Sequence, residues 1–174
     1  MRTFDVVVLG AGSAGESVAK DLAAAGKSVA LVEKNRVGGE CAYVSCMPSK
    51  SMLRSAQIRN IAKELPGFGA AVERADLGDS FAAFKIAANR RDQIVEHRND
   101  DKAAASVKEV GVELFRGEGI FTGADCLRVN EDEITWKDLV IATGSKASIP
   151  DISGLSEISY WTSDQALSIS DAPI

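Results

Sequence analysis

A chain of 174 residues with 45% apolar and 26% charged residues has the composition of an ordinary globular domain and is long enough to bury a core. Its 20 basic and 25 acidic residues leave a net charge of −5, which argues against a general nucleic-acid binder, and no basic stripe lies on an aromatic platform. No apolar run approaches the roughly 18 residues of a membrane span, and residues 1–10 lack the layout of a secretory signal, so no membrane partner is expected and the reducing cytoplasm is the expected compartment.

The run Thr3-Phe4-Asp5-Val6-Val7-Val8-Leu9 predicts a buried parallel strand. It leads directly into Gly10-Ala11-Gly12-Ser13-Ala14-Gly15, followed by a helix with Ala14, Val18 and Leu22 on one face and Gly26 as its stop. Ser28–Val32 is a second strand, ending at Glu33, 18 residues beyond Gly15. A bare GxGxxG is weak evidence, but one that follows a strand, opens a helix and precedes an acid at this distance points to a nucleotide. Gly10 permits the tight turn, Gly12 lets backbone reach a pyrophosphate, and Gly15 lets the helix pack on the strand. The helix N-terminus holds phosphates, and Glu33 can accept from ribose hydroxyls. A βαβ unit without nucleotide is the alternative.

Next comes Gly38-Gly39-Glu40-Cys41-Ala42-Tyr43-Val44-Ser45-Cys46-Met47-Pro48-Ser49-Lys50, with four residues between the cysteines. Ser45 can cap a helix, and Pro48 is tolerated in a first turn because its missing N–H has no partner there. Cys46 therefore lies at a helix N-terminus, where the dipole and free N–H groups favour a thiolate over the free thiol pKa of about 8.5. A redox dithiol fits this better than a structural staple, although two buried cysteines without chemistry remain the plain alternative. Metal binding is disfavoured, since the chain has one His and only one further Cys, and no metal ligands are assigned. Met52, Leu53, Ala56, Ile61 and Leu65 recur near helical spacing.

Residues 66–79, with Pro66, Gly67, Gly69 and Gly78, read as a surface connection. Asp79 or Ser80 can cap a long helix through about Glu109, of mixed, partly exposed character, with Phe84, Ala88, Arg91, Val95 and Arg98 among its residues. His97 lies in a solvated polar run and reads as a surface histidine, and Gly111 ends the helix. The period then changes. Val112–Arg116, Gly119–Phe121, Cys126–Val129 and Glu133–Trp136 predict short strands of a small meander inserted in an α/β domain. Cys126 receives no chemistry. Leu139–Ala142 is a further buried strand, whose carboxyl end runs into Thr143-Gly144 on the edge where such sheets bind ligands. Thr162-Ser163-Asp164 can cap a short helix through about Ile169.

Taken together, these motifs resemble the N-terminal part of a flavin-dependent pyridine nucleotide–disulfide oxidoreductase, nearest in character to the dihydrolipoamide dehydrogenase and mercuric reductase branch. The FAD fingerprint corresponds to Gly10, Gly12, Gly15 and Glu33. The redox signature corresponds to Gly38, Gly39, Cys41, Cys46, Pro48, Ser49 and Lys50, and the ATG element to Ala142, Thr143 and Gly144. The stretch from Gly117 and Gly119 to Ala124 is similar to the segment that passes near the flavin adenine. Three residues depart from the family pattern: Glu40 stands where Thr is usual, Tyr43 where Asn is usual, and Ser45 where Gly is usual.

The resemblance implies an α/β, Rossmann-like FAD-binding domain with a parallel sheet and an inserted antiparallel meander. FAD would contact Gly10, Gly12, Ser13, Ala14, Gly15, Glu33, Lys34, Gly38, Gly39, Lys50, Gly117, Gly119, Ala142, Thr143 and Gly144. Electrons would pass from NAD(P)H through FAD to the Cys41–Cys46 disulfide, and then to a small-molecule disulfide, lipoamide-like, or to a metal ion. Cys46 would be the thiol beside the flavin, Cys41 the interchange thiol, and Lys50 a charge tuning the flavin. No second nucleotide fingerprint occurs, and His97 matches no catalytic position of the family. Residues 1–150 are therefore expected to be an incomplete FAD-binding domain, and 151–174 a connector toward an NAD(P)H-binding domain of a homodimeric parent. This chain alone is expected to be inactive. A nucleotide-binding module without turnover is the alternative. A nicotinamide-binding dehydrogenase domain is disfavoured, because it needs no cysteine pair.

Overall fold

The computed structural model describes residues 1–69 and 76–172. Among these, six strands form one mixed sheet: β1 (Arg2–Leu9), β2 (Val29–Glu33), β3 (Glu113–Arg116), β4 (Gly119–Phe121), β5 (Cys126–Val129) and β6 (Asp132–Ile141). Their order is β3-β2-β1-β6-β5-β4. β1 pairs in parallel with β2 on one side and β6 on the other, β3 continues the parallel half beyond β2, and β4, β5 and β6 pair antiparallel.

The chain divides into two compact units, Met1–Cys41 with Asn99–Lys146 and Ala42–Arg98 with Ala147–Ile174. The first holds the sheet, α1 (Ser13–Ala24) and α5 (Asp101–Glu109). Continuous β-branched runs suit strands covered on both faces, and every residue of β2 is buried. Val6, Val8, Val29 and Leu31 pack with Ala19 of α1 and Val107 of α5, while Val7, Ala30 and Val32 pack with Phe115, Leu127 and Ile134. Each of the Val, Leu, Ile and Phe side chains among them contributes about 1.5–3 kcal/mol by leaving water. The face α1 buries is turned slightly from expectation: Gly15 and Ala19 are buried, Val18 and Leu22 pack beside them, and Ala14 is exposed. Gly15 carries no side chain, so the helix approaches the strand there instead of at Ala14.

The meander differs in membership. Val112–Arg116 is not one of its strands; β3 pairs in parallel with β2. The stretches Glu133–Trp136 and Leu139–Ile141 are one continuous strand, β6, paired along its length with β1 and at its start with β5, and Ala142 follows the strand instead of closing it. The alternation breaks at Lys137-Asp138 because both are exposed there, with Lys137 bonded to Asp5 at 2.7 Å.

The second unit contains α3 (Cys46–Glu64), α4 (Ser80–Ile94) and α6 (Ser163–Ala166). The preceding α2 (Gly39–Tyr43) is a single helical turn too short to show a periodicity in the sequence. α3 starts at Cys46 as expected, but Ser45 makes no side-chain cap bond. Its apolar stripe is not a core face: Leu53 and Ile61 are at least half exposed, and the buried residues are Pro48 and Ser51. Arg90 of α4 donates to the Ser51 hydroxyl at 3.1 Å, so α4 meets the other side of α3.

Asp79 caps α4 by accepting the Ala82 N–H at 2.8 Å. The long helix expected through Glu109 is interrupted, because Glu96, His97 and Arg98 all adopt left-handed backbone between α4 and α5. His97 is exposed. Arg91 is fully buried instead of partly exposed, and donates to Asp92 at 2.9 Å and to the Ile169 carbonyl at 2.8 Å. Arg98 donates to the same Asp92 oxygen and to the Leu167 carbonyl. These contacts tie residues 167–169 to α4. α6 ends earlier than expected, at Ala166, with Gln165 accepting the Thr162 N–H at 2.9 Å. Residues 70–75 of the expected surface connection, and residues 173–174, lie outside the described residues.

Candidate functional site

In the first unit, β1 lies between β2 and β6, the point at which a doubly wound sheet opens a crevice at its carboxyl edge. An open cleft of about 160 Å³ occupies that edge, lined by Leu9, Gly10, Val32, Glu33, Lys34, Asn35, Gly117, Glu118, Gly119 and Thr143. Glu118 belongs to the stretch likened above to the adenine segment, whereas Leu9, Val32 and Asn35 carry no motif of their own; Asn35 is marked only as the neighbour of Lys34.

Close backbone approach builds the glycine loop. Gly10 has φ +101° and donates to the Val32 carbonyl at 2.8 Å, and a β-carbon there would sit 2.4 Å from the Ala142 carbonyl oxygen. At Gly15 a β-carbon would lie 1.8 Å from the Gly10 carbonyl oxygen, so the first turn of α1 rests on the loop. Gly12 is the reverse: a β-carbon there meets nothing within 4 Å. It is the N-cap of α1 and offers no capping side chain. The helix start is therefore open at this point, with Ser13 and Ala14 exposed beside it.

Glu33 is buried at the end of β2. One carboxylate oxygen accepts the Ala11 N–H at 2.6 Å and the other accepts the Asn35 N–H at 2.6 Å. A carboxylate offers about four acceptor positions, so capacity remains for hydroxyl donors. Gly117 donates to the Glu33 carbonyl at 3.0 Å, and Lys34 and Glu118 form an exposed ion pair at 3.5 Å. Gly38 donates to the Ala11 carbonyl at 2.8 Å, and a β-carbon on Gly39 would come within 2.7 Å of the Gly12 Cα. The glycine pair is thus docked on the loop, with Cys41 two residues further along. Gly144 follows Thr143 in left-handed backbone and does not line the cleft.

This arrangement suits a ligand that brings phosphates to the N-terminus of α1 and vicinal hydroxyls to Glu33. The ADP part of FAD has both, so the residues present fit that group.

In the second unit, Cys46 is the first residue of α3 and half-buried, the Ser49 hydroxyl donates to its carbonyl at 3.1 Å, and Lys50 is exposed one turn on. In the first unit, Cys41 is half-buried in α2. Cys126 is at the start of β5, where the Thr122 hydroxyl donates to its sulfur at 3.3 Å. Among the described residues no group of three or more His, Cys, Asp or Glu side chains could hold a metal ion, and no helix is long and apolar enough to cross a membrane.

A sequence profile described as pyridine nucleotide-disulphide oxidoreductase matches residues 4–173. The chain belongs to that family. Among oxidoreductases of the family, it is 34% identical over 172 residues to a mercuric reductase of Staphylococcus aureus, covering 98% of this chain and 30% of that protein. It is 32% identical over 156 residues to a dihydrolipoyl dehydrogenase of Acholeplasma laidlawii, covering 90% of this chain and 45% of that protein. The fold is similar to the Cu(II) complex of the HOCl-induced flavoprotein disulfide reductase RclA of Escherichia coli. That similarity has a TM-score of 0.74 at 26% identity and covers 94% of this chain and 33% of that one. The chain spans between 26% and 30% of the length of the three mercuric reductases of S. aureus, Bacillus cereus and Lysinibacillus sphaericus.

Proposed function

We propose that this chain is the FAD-binding, dithiol-bearing part of an NAD(P)H-dependent flavoprotein oxidoreductase that reduces a small-molecule disulfide or a metal ion in the cytoplasm. The observation that carries the proposal is the seating of Gly38-Gly39 on the glycine loop. It tethers Cys41 two residues from the backbone that would receive the pyrophosphate.

In this reading, residues 1–150 bind the cofactor and 151–174 lead toward an NAD(P)H-binding domain of a homodimeric parent. Gly10, Gly12, Ser13, Ala14 and Gly15 would hold the pyrophosphate, and Glu33 and Lys34 the adenosine ribose. Gly117 and Gly119 would lie beside the adenine, with Ala142, Thr143 and Gly144 at the edge of the loop. When bound, FAD supplies hydride acceptance from NAD(P)H and delivery of two electrons. Cys46, at the helix N-terminus, would be the sulfur beside the flavin, and Cys41 would be the interchange thiol that meets substrate. Its attack depends on thiolate fraction and access. Lys50 places a positive charge one turn beyond Cys46. The mercuric reductase and disulfide reductase relatives support both substrate classes.

The test is a titration of the purified chain with FAD and with NADH, followed by reduction and alkylation. One FAD per chain, together with two thiols gained at Cys41 and Cys46, is the expected result. Tight NADH binding with no FAD binding would overturn it. FAD binding without any redox response of the two cysteines would leave only a nucleotide-binding module.

A further inference from the structure

Asp100 is the N-cap of α5, a position where Asp ordinarily accepts from first-turn N–H groups of its own helix. It makes no such bond. Its Oδ2 instead accepts the N–H of fully buried Val37 at 2.7 Å and pairs with Arg116 Nη1 at 2.7 Å. The same Arg116 nitrogen donates to the Asn35 carbonyl at 3.1 Å. Burial works against a charge on Asp100, yet the hydrogen bonds from Arg116 and Val37 hold its carboxyl below the usual carboxylate range.

The segment between Glu33 and Gly39 is thus fastened from two sides. Toward the cleft, Asn35 donates to Glu33 and Gly38 donates to Ala11. Away from the cleft, Asp100 and Arg116 hold Val37 and Asn35, and neither of the two charged residues lines the cleft. Asp100 thus forgoes the stabilisation of capping its own helix and spends its carboxylate on the segment beside the cleft.

We propose that Asp100, acting with Arg116, is a positioning residue for the nucleotide cleft: it holds residues 34–39 in one arrangement, so that Glu33 and Asn35 form a preformed wall and the Gly38-Gly39 pair stays seated on the glycine loop, and so sets FAD affinity without touching FAD. The proposal rests on the reading of the cleft as the FAD site. A wall ordered in advance removes the ordering cost from the binding step.

The experiment is calorimetric titration of the chain with FAD and with ADP, at a temperature where circular dichroism shows each variant folded. Asp100→Asn is expected to raise both dissociation constants about tenfold, Arg116→Gln about threefold, and Asp100→Glu is expected to recover part of the loss. Ser106→Ala serves as the control. It removes a Lys20 contact between α1 and α5 away from the cleft, and should leave both constants within about twofold even where its melting temperature falls.

Unchanged affinity in folded Asp100→Asn would overturn the proposal and leave the cleft reading standing. An equal loss in Ser106→Ala would also overturn it, by showing general destabilisation. A wild-type chain that bound neither FAD nor ADP would overturn the cleft reading itself. Should Asp100→Asn not fold, Arg116→Gln decides, because its side chain is 40% exposed and Asp100 keeps the Val37 N–H as a partner.

Discussion

Substituting alanine at two glycines of the same loop separates folding from binding. At Gly15 the new β-carbon would lie 1.8 Å from the Gly10 carbonyl oxygen and 3.2 Å from the Ala142 β-carbon. Ordinary contact begins near 3.4 Å, so the oxygen and α1 must part by about 1.6 Å. Both partners are backbone, and Gly10 is itself held by Val32, so no rotamer can relieve the clash. Overpacking ordinarily costs about 1–3 kcal/mol, and a clash of backbone on backbone lies at the top of that range, about 3 kcal/mol. For a domain of this size each kcal/mol is worth roughly 2–4 °C, so the melting temperature should fall by roughly 6–12 °C.

At Gly12 the new β-carbon meets nothing within 4 Å and the backbone, at φ −71°, is open to any residue. The only loss is the preference of an N-cap for Gly over Ala, about 1 kcal/mol or less. If the helix start holds the pyrophosphate as proposed, that methyl would stand in its approach, and FAD affinity should drop about a hundredfold. Scanning calorimetry and FAD titration on the two variants are the assay. Wild-type FAD affinity in Gly12→Ala, or equal melting temperatures for the two variants, would refute this account of the loop.

Three further outcomes are expected. Glu33→Ala should weaken ADP binding by about 1–3 kcal/mol, since it removes the hydroxyl acceptor and also frees the Ala11 and Asn35 N–H groups; unchanged ADP calorimetry would refute that role. Alkylation before and after reduction should find Cys41 and Cys46 in one reversible disulfide and Cys126 outside it, and recovery of a peptide disulfide containing Cys126 would sink the assignment. Asp92 and Asp100 both titrate below the ordinary value of 3.8, against burial, because Arg91 and Arg98 bond the first and Arg116 and Val37 the second. Their stabilisation is complete well above pH 3.8 and is lost as the pH falls below that value through the folded-state pKa values. Urea melts of Asp92→Asn and Asp100→Asn should show lower stability at neutral pH and a flatter acid limb, and an unchanged acid limb would contradict the pairing.

What the sequence determined by itself was local. The strand before Gly10, the helix after it, the acid at the end of β2 and the start of α3 at Cys46 are each encoded within a few residues. Steric demands on glycine, β-branched runs and first-turn proline act at that range. The family could be read from the same stretches, because its motifs are short and contiguous.

What only the tertiary structure decided was pairing over long separations. β3 joins β2 instead of the meander, and β6 is one strand, because β1 offers it a full-length parallel partner. Nothing within residues 113–141 specifies that partner. The break at Glu96–Arg98 was hidden because its residue types are ordinary, and its left-handed backbone coincides with Arg91 and Arg98 reaching residues 167–169. The bond from Asp100 to Val37, 63 positions away, left no trace in a run of charges that reads as solvated. Charged side chains carry no periodicity to mark them as buried partners, so only the folded backbone could bring Asp100, Arg116 and Val37 together.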